Sequence, residues 1–279
     1  MFRKVVLTAI GLYLGVGSFA SRADERTISF DVAGTRVVGS LALPTEPQPP
    51  VVLMLHGFAG SRDEEDIFPR AAKAFAASGL ASLRIDFRGA GDSGGTFADT
   101  TFSRQVEDAL AALRYLEASP LVDGRRIGLV GVSQGGMVAA IAAARSGKPK
   151  ALALWSAVAS PPATFEGLFG KDTVAKGLKS GDAGVATLGL RLRQPFFEDI
   201  YRVDPLKEIA AYRGALFAAE GADDHVVGPD SARKYVAARG GSGEIWSRAM
   251  DHDFNLGHGT STLDALIAAT DSFFLNTLP

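Results

Sequence analysis

Apolar positions along the chain fall into two regimes. Val51–Leu55, Ala81–Phe87, Ile127–Val132, Ala151–Trp155 and Ala215–Ala219 are short, nearly unbroken apolar runs. Runs of that length without alternation predict strands buried on both faces. Gly243–Arg248 is predicted as a further strand. Between the runs the period changes to that of a helix. In Arg104–Ser119, Val106, Ala109, Leu110, Leu113 and Leu116 share one face at 3.6 residues per turn. Ile67–Ser78 reads as a helix stopped by Gly79, and Ser231–Arg239 as one capped by Asp230 and ended by Gly240 and Gly241. Two β-rich runs, Thr27–Val32 and Arg36–Leu43, precede all of these, with Gly34 between them as a hairpin signal. Strands alternating with helices predict an α/β fold: a mostly parallel sheet covered on both faces.

One stretch departs from the alternation. From about residue 156 to 205 there is no strand-like run, but there are Pro161-Pro162, several glycines, and Phe165, Phe169, Phe196 and Phe197. A structureless loop that long is unusual in a compact domain. The segment is therefore expected to be an inserted, largely helical cap over the carboxyl edge of the sheet.

Composition narrows the function classes. The chain has 279 residues, 47% hydrophobic and 22% charged, with formal charge −2. That is globular composition, and with no basic run a dedicated nucleic-acid binder is disfavoured. There is no cysteine, which removes thiol nucleophiles, disulfides and Cys-based zinc sites. Residues 1–23 show Arg3 and Lys4, an apolar run from Val5 to Val16 and a small-residue site ending at Ala23. This pattern predicts a cleaved export signal, since the run is too short to span a bilayer at ~20 residues. An exported, periplasmic or secreted chain of residues 24–279 with no stable membrane anchor is expected. Its oligomeric state is left open.

Gly-x-Ser-x-Gly occurs twice, around Ser93 and around Ser133. A nucleophile elbow needs a strand, a sharp turn and then a helix. Ser133 follows the strand Ile127–Val132 and precedes the small-residue run 135–144. Ser93 lies in a glycine-rich turn, with no helix before about Phe102. Its Gly91-Asp92-Ser93-Gly94-Gly95 string is similar to one in trypsin-like proteases, and His56, Asp86 and Ser93 stand in the corresponding order. These three span a short stretch of a chain that lacks an all-β pattern, so a structural turn is expected there. A serine hydroxyl needs a base, and the base an orienting acid. Only His56, His225, His252 and His258 are available. His252 stands just past the Gly243–Arg248 strand, at the same edge as Ser133, whereas His258 lies in a glycine-flanked loop. Asp223 and Asp224 both stand just past the Ala215–Ala219 strand, and the residues alone leave the choice open. Backbone N–H groups of Gln134 and of Phe58, in the loop after Val51–Leu55, are the expected oxyanion donors. His56 is expected to be a structural hydrogen-bonder beside them.

The segments H-G-F at 56–58, D-F-R-G-A-G-D-S at 86–93, G-V-S-Q-G-G at 131–136, G-A-D-D-H-V-V at 221–227 and D-H-D-F at 251–254 together resemble the α/β-hydrolase superfamily. The chain is most similar there to small serine esterases of the cinnamoyl and feruloyl type. It also resembles the wider group that includes serine aminopeptidases and dienelactone hydrolases, although the latter use cysteine where this chain has Ser133. The resemblance implies the α/β-hydrolase fold, with Ser133 as nucleophile, Asp224 as acid, His252 as base, and Phe58 and Gln134 as oxyanion donors. Phe196 stands where a tyrosine is expected, implying a less polar acyl group. The expectation is a serine carboxylic ester hydrolase for a small-molecule ester, working through an acyl-serine intermediate and needing no metal or cofactor. A peptidase or amidase is the alternative, for which Glu166, Asp172, Glu198 and Asp199 in the cap are the candidate ammonium holders. A non-catalytic binding protein is disfavoured because all three triad residues remain.

Overall fold

The computed structural model describes residues 24–279. The expected export signal, residues 1–23, lies outside the described residues. The strands are β1 (Asp24–Val32), β2 (Thr35–Leu43), β3 (Val51–Leu55), β4 (Ala81–Ile85), β5 (Ile127–Val132), β6 (Ala151–Trp155), β7 (Val185–Thr187), β8 (Leu190–Leu192), β9 (Ala215–Gly221) and β10 (Glu244–Arg248). The helices are α1 (Ile67–Ala77), α2 (Phe102–Ala118), α3 (Gln134–Ser146), α4 (Pro161–Phe169), α5 (Lys171–Gly177), α6 (Gln194–Arg202), α7 (Pro205–Ile209), α8 (Ser231–Ala238) and α9 (Ser261–Thr277). Eight strands form one sheet in the order β1-β2-β4-β3-β5-β6-β9-β10. β2 is antiparallel to both β1 and β4, and the remaining pairs are parallel. The fold is that of the α/β hydrolases.

Side chains of a strand alternate between faces, so each central strand feeds two cores. Val51, Leu53 and Leu55 of β3 pack in one cluster with α2, α3 and α8. Val52 and Met54 pack in the other, against Phe68 and Phe75 of α1 and Leu266 and Phe274 of α9. This double burial is why the strands read as unbroken apolar runs. α3 lies close on the sheet because its buried face is Ala139, Ala140, Ala142 and Ala143. Each fully buried large side chain, such as Phe75 or Phe274, contributes roughly 1.5–3 kcal/mol.

Some expectations need correction. The Asp230 side chain makes no capping hydrogen bond at the start of α8. Its carboxylate instead pairs with Lys234 one turn on, at 2.8 Å. Between β6 and β9 lie α4, α5, α6 and α7, together with an antiparallel hairpin, β7–β8. No strand was expected in that stretch. The two strands have only three residues each and are mostly half-exposed, which leaves no apolar run to detect. Their turn, Leu188-Gly189, has φ of 51° and 75°, the mirror-image geometry that suits hairpins. α9 also went unread, although Leu263, Leu266, Ile267, Thr270 and Phe274 are buried along it at helical spacing. Among the described residues, no helix is long and apolar enough to cross a membrane.

Candidate active site

The parallel strands bring the loops after β3, β5, β9 and β10 to one rim of the sheet, where ligand sites of open α/β sheets form. β5 ends at Val132 and α3 begins at Gln134, so Ser133 alone makes the turn. It has φ 53° and ψ −119°, a conformation that costs of order 1–3 kcal/mol outside glycine. Its backbone is held from both sides. The Ser133 N–H donates to Trp155 O at 2.9 Å, and its carbonyl accepts from Gly136, Met137 and Val158 N–H at 3.0–3.3 Å. Gly135 is required because a Cβ there would overlap the carbonyl oxygens of Leu55 and His56.

The Oγ of Ser133 lies 3.0 Å from Nε2 of His252, and Nδ1 of His252 lies 2.9 Å from Oδ2 of Asp224. Asp224 is buried, whereas Asp223 is exposed, so the structure places Asp224 and not its neighbour against the ring. The other oxygen of Asp224 accepts the N–H groups of Val226 and Val227 at 2.9 and 3.1 Å. Burial works against its charge, but the hydrogen bond from His252 and the two backbone N–H groups outweigh it, and the carboxyl lies below its usual range. The loop carrying His252 is braced by a feature sequence reading missed. Asp251 accepts the Asn255 N–H at 2.7 Å, and Asn255 Oδ1 accepts the Asp251 N–H at 3.0 Å.

Phe58 stands in the loop after β3, and Gln134, next to the serine in the chain, opens α3. Neither backbone N–H is spent on a hydrogen bond among the described residues. His56 is a structural group here. It is buried, its Nδ1 meets the Gly57 carbonyl at 2.9 Å, and its Nε2 accepts the Phe87 N–H at 3.2 Å. A peptide is planar and trans, so its C=O and N–H point in opposite directions. Holding the Gly57 carbonyl therefore fixes the direction of the Phe58 N–H.

The other candidates lie elsewhere. Ser93 Oγ donates to Asp86 O at 2.7 Å and accepts from Val38 N–H at 2.9 Å. Asp86 pairs with Arg62. His225 and His258 are exposed. Between β6 and β9, Glu166 accepts from Tyr201 Oη and Glu198 from Gln194. Asp199 is buried and accepts the Ser103 N–H. None of these three, nor Asp172, lines the cleft.

That cleft holds about 360 Å³ and is lined by Ser133, His252, Phe58, Leu168, Leu188 and Val226, together with Glu64, Glu65 and Asp253. Of the phenylalanines packed around Phe58, only Phe58 itself lines the cleft; Phe196, expected to face the acyl group, does not. The Phe58 ring lies 5.6–5.9 Å from those of Phe97, Phe165, Phe169 and Phe196. Phe196 is 1% exposed, at the centre of this group.

Comparison with known proteins agrees with this architecture. A solved structure described as ferulic acid bound to Est1E from Butyrivibrio proteoclasticus superposes with TM-score 0.76 at 22% identity, covering 90% of this chain and 98% of that one. The esterase Pf2001 of Pyrococcus furiosus gives TM-score 0.70 at 18% identity, covering 92% of each. Among curated proteins, the thiohydrolase aneE of Aspergillus aculeatus is 33% identical over 179 residues, 62% of this chain. An Escherichia coli protein described only as an uncharacterized 31.7 kDa protein in the traX-finO intergenic region is 34% identical over 103 residues, 37% of this chain. The chain spans about half of the thiohydrolase's length, 55%, and about a third of the Escherichia coli protein's, 35%. The profile of the X-Pro dipeptidyl-peptidase (S15) family matches residues 33–240. With an α/β-hydrolase sheet and that match over most of its length, the chain belongs to the X-Pro dipeptidyl-peptidase (S15) family.

Proposed function

We propose that the protein hydrolyses carboxylic esters of small acyl or aromatic acids through an acyl-serine intermediate. The observation that carries this reading is the hydrogen-bonded line Ser133–His252–Asp224 beside two unspent backbone donors. His252 Nε2 takes the Ser133 proton as Oγ attacks the ester carbonyl. The developing oxyanion is met by Phe58 and Gln134 N–H, each worth about 3 kcal/mol of barrier. The second donor sits at the start of α3, where the helix dipole favours negative charge. His252 then protonates the leaving alcohol. Water, deprotonated by the same ring, releases the acid. Asp224 keeps the proton on Nδ1 and stabilises the imidazolium.

A second reading, cleavage of peptides or amides, draws support from the family match. The cap carboxylates suggested as ammonium holders do not line the cleft, whereas Glu65 and Asp253 do. Ester preference is supported by the fold's likeness to esterases and by the apolar lining of Phe58, Leu168, Leu188 and Val226. Export stays part of the proposal on the strength of residues 1–23; N-terminal sequencing of the protein from the periplasmic or culture fraction checks it. The test of activity is a panel of p-nitrophenyl esters and Xaa-Pro p-nitroanilides on the purified protein. Ester turnover exceeding anilide turnover by at least a hundredfold is expected. The reverse order would replace the proposal with the peptidase.

A further inference from the structure

Glu64 has no place in the triad, yet its carboxylate lies directly beneath the loop that carries Phe58. Both of its oxygens sit 3.0 Å from the Gly57 nitrogen. They press so closely on the loop that a Cβ on Gly57 would stand 2.7 Å from Oε1, and one on Gly60 would overlap Oε2. The chain is bent to bring it there. Glu64, Glu65 and Asp66 have φ of 42°, 51° and 70°, three successive non-glycine residues in the left-handed region. Strain of that kind persists only where the surroundings fix it, and it gathers at functional sites. Among the described residues, Glu64 makes no ion pair that would account for its position.

We propose that Glu64 is a positioning residue that holds the oxyanion loop in its working shape, a role that rests on the acyl-transfer reading above. Two consecutive peptides are pinned. Glu64 holds the Gly57 N–H, while His56 Nδ1 and the Gly60 N–H, at 2.9 and 3.3 Å, hold the Gly57 carbonyl. The Phe58 N–H, trans to that carbonyl, is thereby held in one direction. The groups facing Glu64 make this costly. Burial is the main force raising its pKa, to about 7; Glu65 and Asp253 add to it, and the Gly57 N–H and His252 oppose it. Its folded pKa is thus above its unfolded value near 4.5. Stability contributed by the neutral form is lost as pH rises from 4.5 through 7. A neutral isostere escapes that loss.

The experiment uses the full chain as wild type, Glu64→Gln and Glu64→Ala. The readouts are kcat and KM on p-nitrophenyl butyrate, inhibition by phenylboronic acid, melting temperature against pH, and the amide NMR signal of Gly57. Misplacing a donor by a fraction of an ångström costs on the order of 30-fold. Glu64→Ala is therefore expected to lose about that in kcat with KM within twofold, and to weaken boronate inhibition by a similar factor. Glu64→Gln, which keeps one acceptor oxygen, should recover most of the rate and melt higher than wild type at pH 8 but not at pH 4.5. Wild-type kcat and boronate affinity in Glu64→Ala would overturn the proposal. So would a rate loss in Glu64→Ala that only tracks unfolding, with no recovery in Glu64→Gln. The Gly57 amide should titrate near pH 7 in wild type and not in Glu64→Gln. That reading is independent of which bond the enzyme cleaves: a flat wild-type titration refutes the contact even if ester hydrolysis fails, and an intact one with no ester turnover refutes only the activity.

Discussion

Replacing Asp224 by asparagine tests the proton path through His252. Oδ1 of Asp224 accepts two backbone N–H groups, from Val226 and Val227. In Asp224→Asn these two donors retain the amide oxygen, so the amide nitrogen must take the place of Oδ2, 2.9 Å from His252 Nδ1. Two donors then face each other. The ring escapes by moving its proton from Nδ1 to Nε2, which points an N–H at Ser133 Oγ and abolishes the base. To act as a base the ring must return its proton to Nδ1, without the charge-assisted hydrogen bond, roughly 1.5–3 kcal/mol, and with a buried donor facing a donor, about 1–3 more. At 1.36 kcal/mol per decade this predicts a fall in kcat of roughly 10²–10⁴. KM should stay within about twofold, because the apolar cleft lining of Phe58, Leu168, Leu188 and Val226 is untouched. The assay is steady-state hydrolysis of p-nitrophenyl butyrate, with Asp223→Asn as the control. A loss under tenfold in Asp224→Asn, or an equal loss in Asp223→Asn, would refute the reasoning.

Three further outcomes are expected. Gly135→Ala pushes a methyl into the Leu55 and His56 carbonyls, and a 1 Å displacement of the elbow should lower kcat by about 10²-fold; an unchanged rate would show that the elbow has room to yield. His56 is held neutral by burial, with its pKa lowered to about 4 against the Gly57 and Asp86 contributions. The unfolded chain takes up a proton near 6.5 that the folded one refuses, so stability is full above 6.5 and declines as pH falls towards 4, by up to ~3 kcal/mol. NMR should show no His56 titration between pH 8 and 5, and a midpoint near 6.5 would contradict this. Burial pushes the Asp108 carboxyl up to about 6 despite its bonds from Arg88, 2.5 Å from Arg88 Nε and 2.9 Å from Arg88 N. Arg88→Ala should cost about 3–5 kcal/mol in urea unfolding, and a loss under ~1 kcal/mol would count against the pair.

The sequence displayed the site unusually well, for a physical reason. In a doubly covered parallel sheet the central strands are unbroken apolar runs, so the residue after each run is marked as lying on the rim. That offset pointed to Ser133, His252, Phe58 and the pair Asp223 and Asp224, of which the structure brings Ser133, His252 and Asp224 into hydrogen-bond contact. The choice between Asp223 and Asp224 was not legible from position, because it depends on which side chain turns inward; the family motif supplied it. Ser93 shows the converse, since its motif is local while its bonds to Asp86 and Val38 come from strand pairing. Glu64 and the Asp251–Asn255 brace were missed because both depend on left-handed backbone at non-glycine residues, which no composition rule signals. The β7–β8 hairpin was missed because strands so short carry no periodicity.

The proposed reaction requires Ser133 to be a nucleophile activated by His252. Reaction of the purified protein with a fluorophosphonate, followed by peptide mass spectrometry, measures this directly. One adduct per chain is predicted, on the peptide containing Ser133, absent in Ser133→Ala and slowed at least a hundredfold in His252→Ala. An adduct on Ser93, or labelling of Ser133 that ignores the loss of His252, would contradict it.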